Sequence, residues 1–164
     1  AREKILADRK EMAEHVTIVD LIRNDLSRVA SKVKVTHFRY VEEIKTIGKN
    51  LLQVSSEICG ELPPGYERHL GDIVLKLLPA GSVSGAPKCK TLQIIRDAEN
   101  EPRGYYTGVV GIYDGHVLDS GVMIRFIESR RGQLYYRSGG GITAQSRLES
   151  EYQEALDKVY VPVD

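Results

Sequence analysis

Apolar residues recur at steps of three and four along the first 29 residues of the chain. Such a stripe is typical of one face of an α-helix, and polar residues such as Asp20, Asn24 and Asp25 fall on the other side. The pattern predicts one long helix over residues 3–29. The positions that follow the spacing are Met12, Val16, Val19, Ile22 or Arg23, Leu26 and Val29.

The middle of the chain changes to strand-forming residues and then to loops. Val, Ile, Thr and Tyr are frequent in residues 33–41 and 44–62, which favours two β-strands, and Pro63-Pro64-Gly65 would end the second. The next predicted elements are a short helix at 69–78, a loop rich in Gly, Ser and Pro at 79–88, and a helix at about 87–100.

The last third of the chain has a β pattern followed by a helix. Asp114-Gly115 is a strong hairpin signal, and a second turn is predicted near Arg131-Gly132. Because there are no repeats and no low-complexity linker, the sequence predicts one α+β unit with antiparallel sheets and flanking helices. The predicted elements are strands at 105–113, 117–127 and 134–137, a glycine run at 139–141, and a helix at 146–159.

Charge and cysteine content narrow the class of protein. Lys plus Arg and Asp plus Glu both number 23, so no bulk charge favours nucleic acid or an anionic membrane as partner. No apolar run approaches the roughly 20 residues of a membrane span. Cys59 and Cys89 form no spaced ligand motif with the four histidines, which favours a reduced, cytoplasmic protein without zinc.

Two acid pairs lie near opposite ends of the chain. Glu11 and Glu14, and likewise Glu151 and Glu154, are spaced i, i+3 in predicted helices, so each pair shares a helix face. Four carboxylates from two segments suit Mg²⁺, which takes oxygen ligands. The alternative is that both pairs are solvated helix faces.

Two loops offer backbone N–H groups to a ligand. The loop at 79–88 adds two serine hydroxyls and a helix N-terminus, which suit an anion, although it lacks the order of a P-loop. The glycine run at 139–141 allows a ligand to approach the backbone closely. Each loop has an ordinary alternative, a plain helix entry or a tight corner. Similarly, Lys158 either pairs with a substrate carboxylate or forms a surface salt bridge with Glu154.

An arginine on a predicted strand adds a further possible contact to an anion. Arg125 and Tyr106 lie on adjacent predicted strands, and the arginine fork matches a carboxylate in a bidentate fashion. The alternative is an exposed strand arginine. The sequence supports no Ser/His/Asp or Cys/His arrangement.

Taken together, these motifs make the chain resemble the C-terminal part of the chorismate-binding enzymes. That family includes the anthranilate synthase large component, aminodeoxychorismate synthase component I, isochorismate synthase and salicylate synthase. Six motifs in the family's order span nearly the whole chain. They are Ala13-Glu14-His15-x-x-Ile18-Val19-Asp20-Leu21-x-Arg23-Asn24-Asp25, Gly81–Lys88, Arg103-Gly104-x-Tyr106-x-Gly108, Ile124-Arg125, Gly139-Gly140-Gly141-Ile142 and Glu151-x-x-Glu154-x-x-x-Lys158.

The resemblance implies a role for each of these motifs. Glu14 and Glu154 match glutamates that hold Mg²⁺, and Glu11 and Glu151 match supporting acids. The metal, Lys158 and the glycine backbone would hold the ring carboxylate of chorismate. The remaining positions, all of which match substrate-binding positions of the family, are Tyr106 and Arg125 at the enolpyruvyl carboxylate, Ser82 beside the substrate, and Gly139, Gly140 and Gly141.

Within the family, the motifs favour aminodeoxychorismate synthase component I. The pair Gly81-Ser82 stands where anthranilate synthases usually have Gly-Thr, and Glu151-Tyr152-Gln153-Glu154 is similar to the aminodeoxychorismate branch. The resemblance then implies Mg²⁺-dependent amination of chorismate at C4 for p-aminobenzoate and folate synthesis, with ammonia from a glutamine amidotransferase partner. The alternatives are anthranilate synthase component I and a catalytically incompetent chorismate-binding fragment.

Two departures from the family pattern limit this interpretation. Alignment on Ser55 and Gly60 places Gln53 where the family has a histidine thought to be a general acid, and glutamine cannot deliver a proton near neutral pH. The Pro-Ile-Lys-Gly-Thr motif of aminodeoxychorismate synthases, with its proposed nucleophilic lysine, would lie upstream of Ala1. We therefore expect residues 1–164 to be the C-terminal part of a chorismate-binding domain whose N-terminal part is absent, and this part alone to be inactive.

Overall fold

The structure is a computed structural model that describes residues 2–45, 50–144 and 146–159. The chain divides into two compact units, residues 1–99 and residues 100–164. Helices and antiparallel sheets make up both, which confirms the predicted α+β class. Among the described residues, no helix has the length and apolar character needed to cross a membrane.

Unit 1 begins with two helices, α1 (Arg2–Ala7) and α2 (Arg9–Leu26). The prediction of one helix over 3–29 is wrong at Asp8, which has extended backbone angles and caps α2. The Asp8 carboxylate accepts the backbone N–H of Glu11 at 3.1 Å, satisfying a donor that has no partner within the helix. Asp8 therefore fixes where the helix that carries Glu11 and Glu14 begins.

A long antiparallel hairpin follows, formed by β1 (Ser31–Ile44) and β2 (Leu51–Glu61). Ile44 pairs with Leu51, so it ends β1 and does not begin the second strand as predicted; residues 46–49 lie outside the described residues. The pairing shifts between His37 and Tyr40, where Arg39 has a positive φ of 49°. The Arg39 guanidinium donates to the Leu6 carbonyl at 3.1 Å, which ties this bulge to the end of α1.

The remaining helices of unit 1 are α3 (Leu70–Leu77), α4 (Gly81–Ser84) and α5 (Lys88–Ala98). The strand ends before Pro63-Pro64-Gly65, as predicted, and a 3-10 turn leads into α3. Helix α2 packs against β1, β2, α3 and α4, and its Val19 side chain is buried. This helix is therefore the element around which the predicted site residues of unit 1 are arranged.

Unit 2 consists of two hairpins and a helix. Strand β3 (Val109–Tyr113) pairs with β4 (Leu118–Val122), β5 (Phe126–Arg130) pairs with β6 (Gln133–Arg137), and α6 spans Leu148–Asp157.

Both predicted turns of unit 2 are confirmed. The Asp114 carboxylate accepts the N–H groups of Val117 at 2.7 Å and His116 at 2.8 Å, and these bonds lower its pKa. Arg131 and Gly132 both have positive φ, as a two-residue type I′ loop requires.

The predicted strand over 117–127 is divided in the structure. After β4, the Met123 N–H donates to the Gly108 carbonyl and its carbonyl accepts from the Thr107 N–H, at 2.9 and 2.8 Å. These bonds extend the first hairpin, and the chain then bends at residues 124–125 before β5. The bend carries Arg125, and Tyr106 lies in the turn before β3, so neither residue is on a strand.

Candidate functional site

In unit 2, the Tyr106 ring lies directly against the glycine run. A Cβ added at Gly139 would overlap the Tyr106 hydroxyl and lie 3.2 Å from the Cζ atom of the ring. Position 139 therefore admits only glycine while the tyrosine keeps this place. The Arg103 guanidinium lies 5.4 Å from the centre of the same ring, a cation–π distance that helps to hold it. The phenol and the glycine backbone thus form one surface.

The same glycine run meets the acidic and basic groups of α6. A Cβ at Gly140 would lie 3.9 Å from both the Glu151 Oε2 atom and the Lys158 Nζ atom. Lys158, which follows α6, forms an ion pair with Glu154 one turn earlier. We call this group the unit 2 cluster; it consists of Tyr106, Gly139, Gly140, Glu151, Glu154 and Lys158. It places a phenol, an ammonium group and two carboxylates around the glycine backbone, which is half-buried at Gly139 and exposed at Gly140.

Hydrogen bonds and ion pairs hold the two segments that build the cluster. The Glu128 carboxylate accepts from Nε of Arg137 at 2.7 Å and from Nε of Arg130 at 2.8 Å, and these bonds lower its pKa. Arg137 also pairs with Glu101 at 3.5 Å. Arg137 ends β6 just before the glycine run, and Glu101 precedes the turn that carries Tyr106. The network therefore ties the two segments of the cluster together.

Ser138, which directly precedes the glycine run, is a residue that the sequence analysis did not single out. Its Oγ atom is buried and has no hydrogen-bond partner among the described residues. A buried hydroxyl without a partner carries a desolvation cost, which a ligand group can remove. In the sequence, its position directly before Gly139 is the one feature that points to Ser138.

The predicted site residues of unit 1 lie on three different elements. Glu11 and Glu14 are exposed on α2, Gln53 is exposed on β2, and Ser82 is exposed on the short helix α4. Gln53 lies opposite Glu42 on β1 in the register of the hairpin. Each of these side chains is therefore accessible to solvent.

The two acid pairs lie in different units, on α2 and on α6. Oxygen donors of this type suit Mg²⁺, so the chemistry of the donor set fits the predicted metal. In the part of the chain that the structure describes, no group of three or more His, Cys, Asp or Glu side chains is arranged to hold a metal ion. The magnesium site therefore stays a prediction.

The whole chain matches a known protein family. Residues 1–164 match the family described as chorismate binding enzyme. The chain belongs to the chorismate-binding enzyme family. The resemblance read from the six sequence motifs is therefore confirmed.

Proteins with three different names are similar in sequence to this chain. An uncharacterized PabA-like protein of Pasteurella multocida is 58% identical over 99% of this chain and 50% of its own length. Anthranilate synthase component 1 of Aquifex aeolicus is 39% identical over 95% of this chain and 31% of its own length. Aminodeoxychorismate synthase component 1 of Bacillus subtilis is 36% identical over 96% of this chain and 33% of its own length.

A solved structure supports the chorismate-binding fold. Anthranilate synthase component I from Streptococcus pneumoniae matches with a TM-score of 0.80 and 35% identity, over 95% of this chain and 35% of that one. The chain spans about half the length of the PabA-like relatives that it matches.

Proposed function

We propose that this chain is part of an aminodeoxychorismate synthase of the component I type. The reaction would replace the C4 hydroxyl of chorismate with an amino group, giving 4-amino-4-deoxychorismate for p-aminobenzoate and folate synthesis. The unit 2 cluster is the observation that carries the proposal. Chorismate is a small dianion, and the cluster offers it an ammonium group, a phenol and glycine backbone within one compact unit.

The residues of unit 2 would bind and orient the substrate. Lys158 would exchange Glu154 for the ring carboxylate, which would also approach the backbone of the glycine run. Tyr106 and Arg125 would hold the enolpyruvyl carboxylate, one through its hydroxyl and the other through its guanidinium. In this arrangement the buried Ser138 hydroxyl would gain a ligand partner.

We also propose Mg²⁺ as the cofactor of the reaction. Glu14 and Glu154 would be the ligands, with Glu11 and Glu151 as supporting acids. When bound, the ion would supply fixed positive charge at the ring carboxylate. The residues of the chain would do the remaining work of binding and orientation, because Gln53 cannot act as an acid and proton transfer requires another group.

Anthranilate synthase is a second candidate with its own support. In that reaction, ammonia adds at C2 of chorismate and pyruvate is eliminated. The relatives and the solved structure named anthranilate synthase favour it. The Gly81-Ser82 pair and the Glu151-Tyr152-Gln153-Glu154 sequence favour the aminodeoxychorismate reaction.

A chimera provides the test of this proposal. Residues 1–164 replace the matching segment of the Pasteurella multocida relative, and the product is supplied with chorismate, Mg²⁺ and an ammonium salt. Aminodeoxychorismate would be detected as p-aminobenzoate after addition of a lyase, and anthranilate by its fluorescence. We expect p-aminobenzoate from the chimera and none from the 164-residue chain alone.

Other products would decide against the proposal. Anthranilate would establish the second candidate. Neither product from the chimera, with activity in the unsubstituted relative, would show a catalytically incompetent chorismate-binding module. The proposed glutamine amidotransferase partner, which the PabA-like names of relatives support, is tested by replacing the ammonium salt with glutamine and that subunit.

A further inference from the structure

A buried carboxylate at the end of α2 has no part in the function proposed above. The Asp25 side chain is 10% exposed, although Asp is rarely buried without a partner. It lies in the last turn of α2, where the helix dipole disfavours a negative charge. Helix stability therefore does not explain the position of this residue.

The Asp25 carboxylate contacts both ends of the loop over residues 79–88, the segment that contains the short helix α4 and Ser82. Its Oδ2 atom accepts the backbone N–H of Gly81 at 2.9 Å, and its Oδ1 atom forms an ion pair with Lys88. The ammonium group of Lys88, whose side chain is 22% exposed, also donates to the Pro79 carbonyl at 2.9 Å. One carboxylate on α2 thus fixes the beginning and the end of the loop over residues 79–88.

Gly81 brings the loop unusually close to α2. A Cβ at this position would lie 2.9 Å from the Asp25 Oδ2 atom and 3.0 Å from the Leu21 Cβ atom, so any side chain would force the loop away. Ser84, one turn later, is buried and donates to the Ala80 carbonyl at 2.9 Å. With Gly81 and Ser84 facing inward, Ser82 is turned to solvent.

We propose that Asp25 and Lys88 are positioning residues that hold Ser82 in place for the substrate. Neither residue touches the substrate; both act through the backbone of the loop. A buried ion pair adds little net stability but fixes geometry, since its two charges must meet. The inference rests on the proposed function, because the role of Ser82 at chorismate belongs to that function.

The test uses the chimera described above with three sets of substitutions. Asp25→Asn and Lys88→Met should each raise the KM for chorismate about tenfold, the typical effect of losing one hydrogen bond to a substrate, with little change in kcat. Ser82→Ala should do the same. Because Asp25 acts through Ser82, combining Asp25→Asn with Ser82→Ala should raise KM no further than either alone.

A double variant separates positioning from folding. Asp25→Asn with Lys88→Met leaves no buried charge unpaired, so it should regain the stability that either single variant loses while KM stays raised. If a single variant fails to fold, the KM of this double variant tests the inference. Glu61→Gln, which breaks the exposed ion pair with Lys32, is the matched control and should leave KM unchanged.

Three results would overturn the inference. They are a normal KM in the double variant, additive effects of Asp25→Asn and Ser82→Ala, and an equal rise of KM in Glu61→Gln. A chimera without substitutions that makes no product would instead remove the proposed function, and with it the substrate role of Ser82. The activity of the unsubstituted chimera therefore distinguishes the two failures.

Discussion

The Tyr106 hydroxyl occupies the space that a β-carbon at Gly139 would need. This relationship joins the turn before β3 to the segment after β6, two parts of unit 2 that are more than 30 residues apart in the sequence. Glycine is needed here because of a close approach by a side chain, and its conformational freedom is secondary.

Gly139→Ala should force the Tyr106 ring away from the glycine run. Overpacking of this kind typically costs about 1–3 kcal/mol of unfolding free energy, and we expect chorismate binding to weaken as well. Urea denaturation and calorimetric titration of the chimera measure the two effects. Gly121→Ala on β4 is the control, because its Cβ meets no atom within 4 Å. Adding Tyr106→Phe to Gly139→Ala removes the overlapping hydroxyl and should restore part of the lost stability. If the double variant is no more stable than Gly139→Ala, the overlap is contradicted.

Glu14→Ala or Glu154→Ala should abolish Mg²⁺-dependent chorismate binding by the chimera. Each substitution removes one carboxylate from the small set of oxygen ligands that the ion would share with substrate. Titration of chorismate with and without Mg²⁺ measures the effect, and Glu149→Ala, in the exposed first turn of α6, is the control. Unchanged binding in both variants would mean that the acid pairs are only solvated helix faces.

The ion pairs of Glu128 should stabilise the protein only when its carboxylate is charged. Arg137 and Arg130 lower the pKa of Glu128, so the folded protein holds the carboxylate charged at pH values where the unfolded chain protonates it. The stabilisation is complete at pH values above the pKa of Glu128 in the unfolded chain. It is lost as the pH falls through the lower pKa of Glu128 in the folded protein. The difference in unfolding free energy between the unsubstituted protein and Glu128→Gln should therefore decrease as the pH falls from about 7 to about 3. A constant difference in urea denaturation would contradict the expectation.

His15 should make the free energy of unfolding depend on pH near neutrality, above the range in which Glu128 acts. Burial, and then the charge of Arg39, lower the pKa of His15, and its Nε2 atom lies 2.7 Å from the Ser56 hydroxyl. In the unfolded chain His15 has its ordinary pKa of about 6.5 and binds a proton below that pH, whereas in the folded protein its pKa is lower and it stays neutral. The free energy of unfolding therefore falls as the pH decreases through this range. Replacing His15 with Gln should flatten the stability profile between about pH 7.5 and pH 5.5. An equal slope in His15→Gln and in the unsubstituted protein would refute the assignment.

Local signals in the sequence predicted most elements correctly. The Asp114-Gly115 and Arg131-Gly132 turns depend on short-range geometry, and the structure has both. The break in the first helix also had a local signal, since Asp8 and Glu11 have the spacing of a capping box, but the apolar stripe continued through it. The bend at Arg125 had no such signal, because Val117 to Ile127 is rich in strand-forming residues.

Contacts between distant segments were beyond prediction from the pattern alone. Asp25 looks like one more polar residue of the α2 surface, and only its contacts with Gly81 and Lys88 show that it is buried. The overlap of Tyr106 with Gly139 is likewise a tertiary contact. The residues of the unit 2 cluster were predicted from motifs, but Ser138 was not, because burial of a hydroxyl is invisible in the sequence.

The two short hairpins of unit 2 have a consequence for the kinetics of folding. Each pairs strands that are adjacent in the sequence, so little chain entropy is lost when a loop closes. Hairpins of this kind form in about 1–10 μs, far sooner than contacts of large sequence separation. We therefore expect the pairing of β5 with β6 to precede the contact of Tyr106 with Gly139, so that the glycine run would reach the tyrosine from a strand that is already paired.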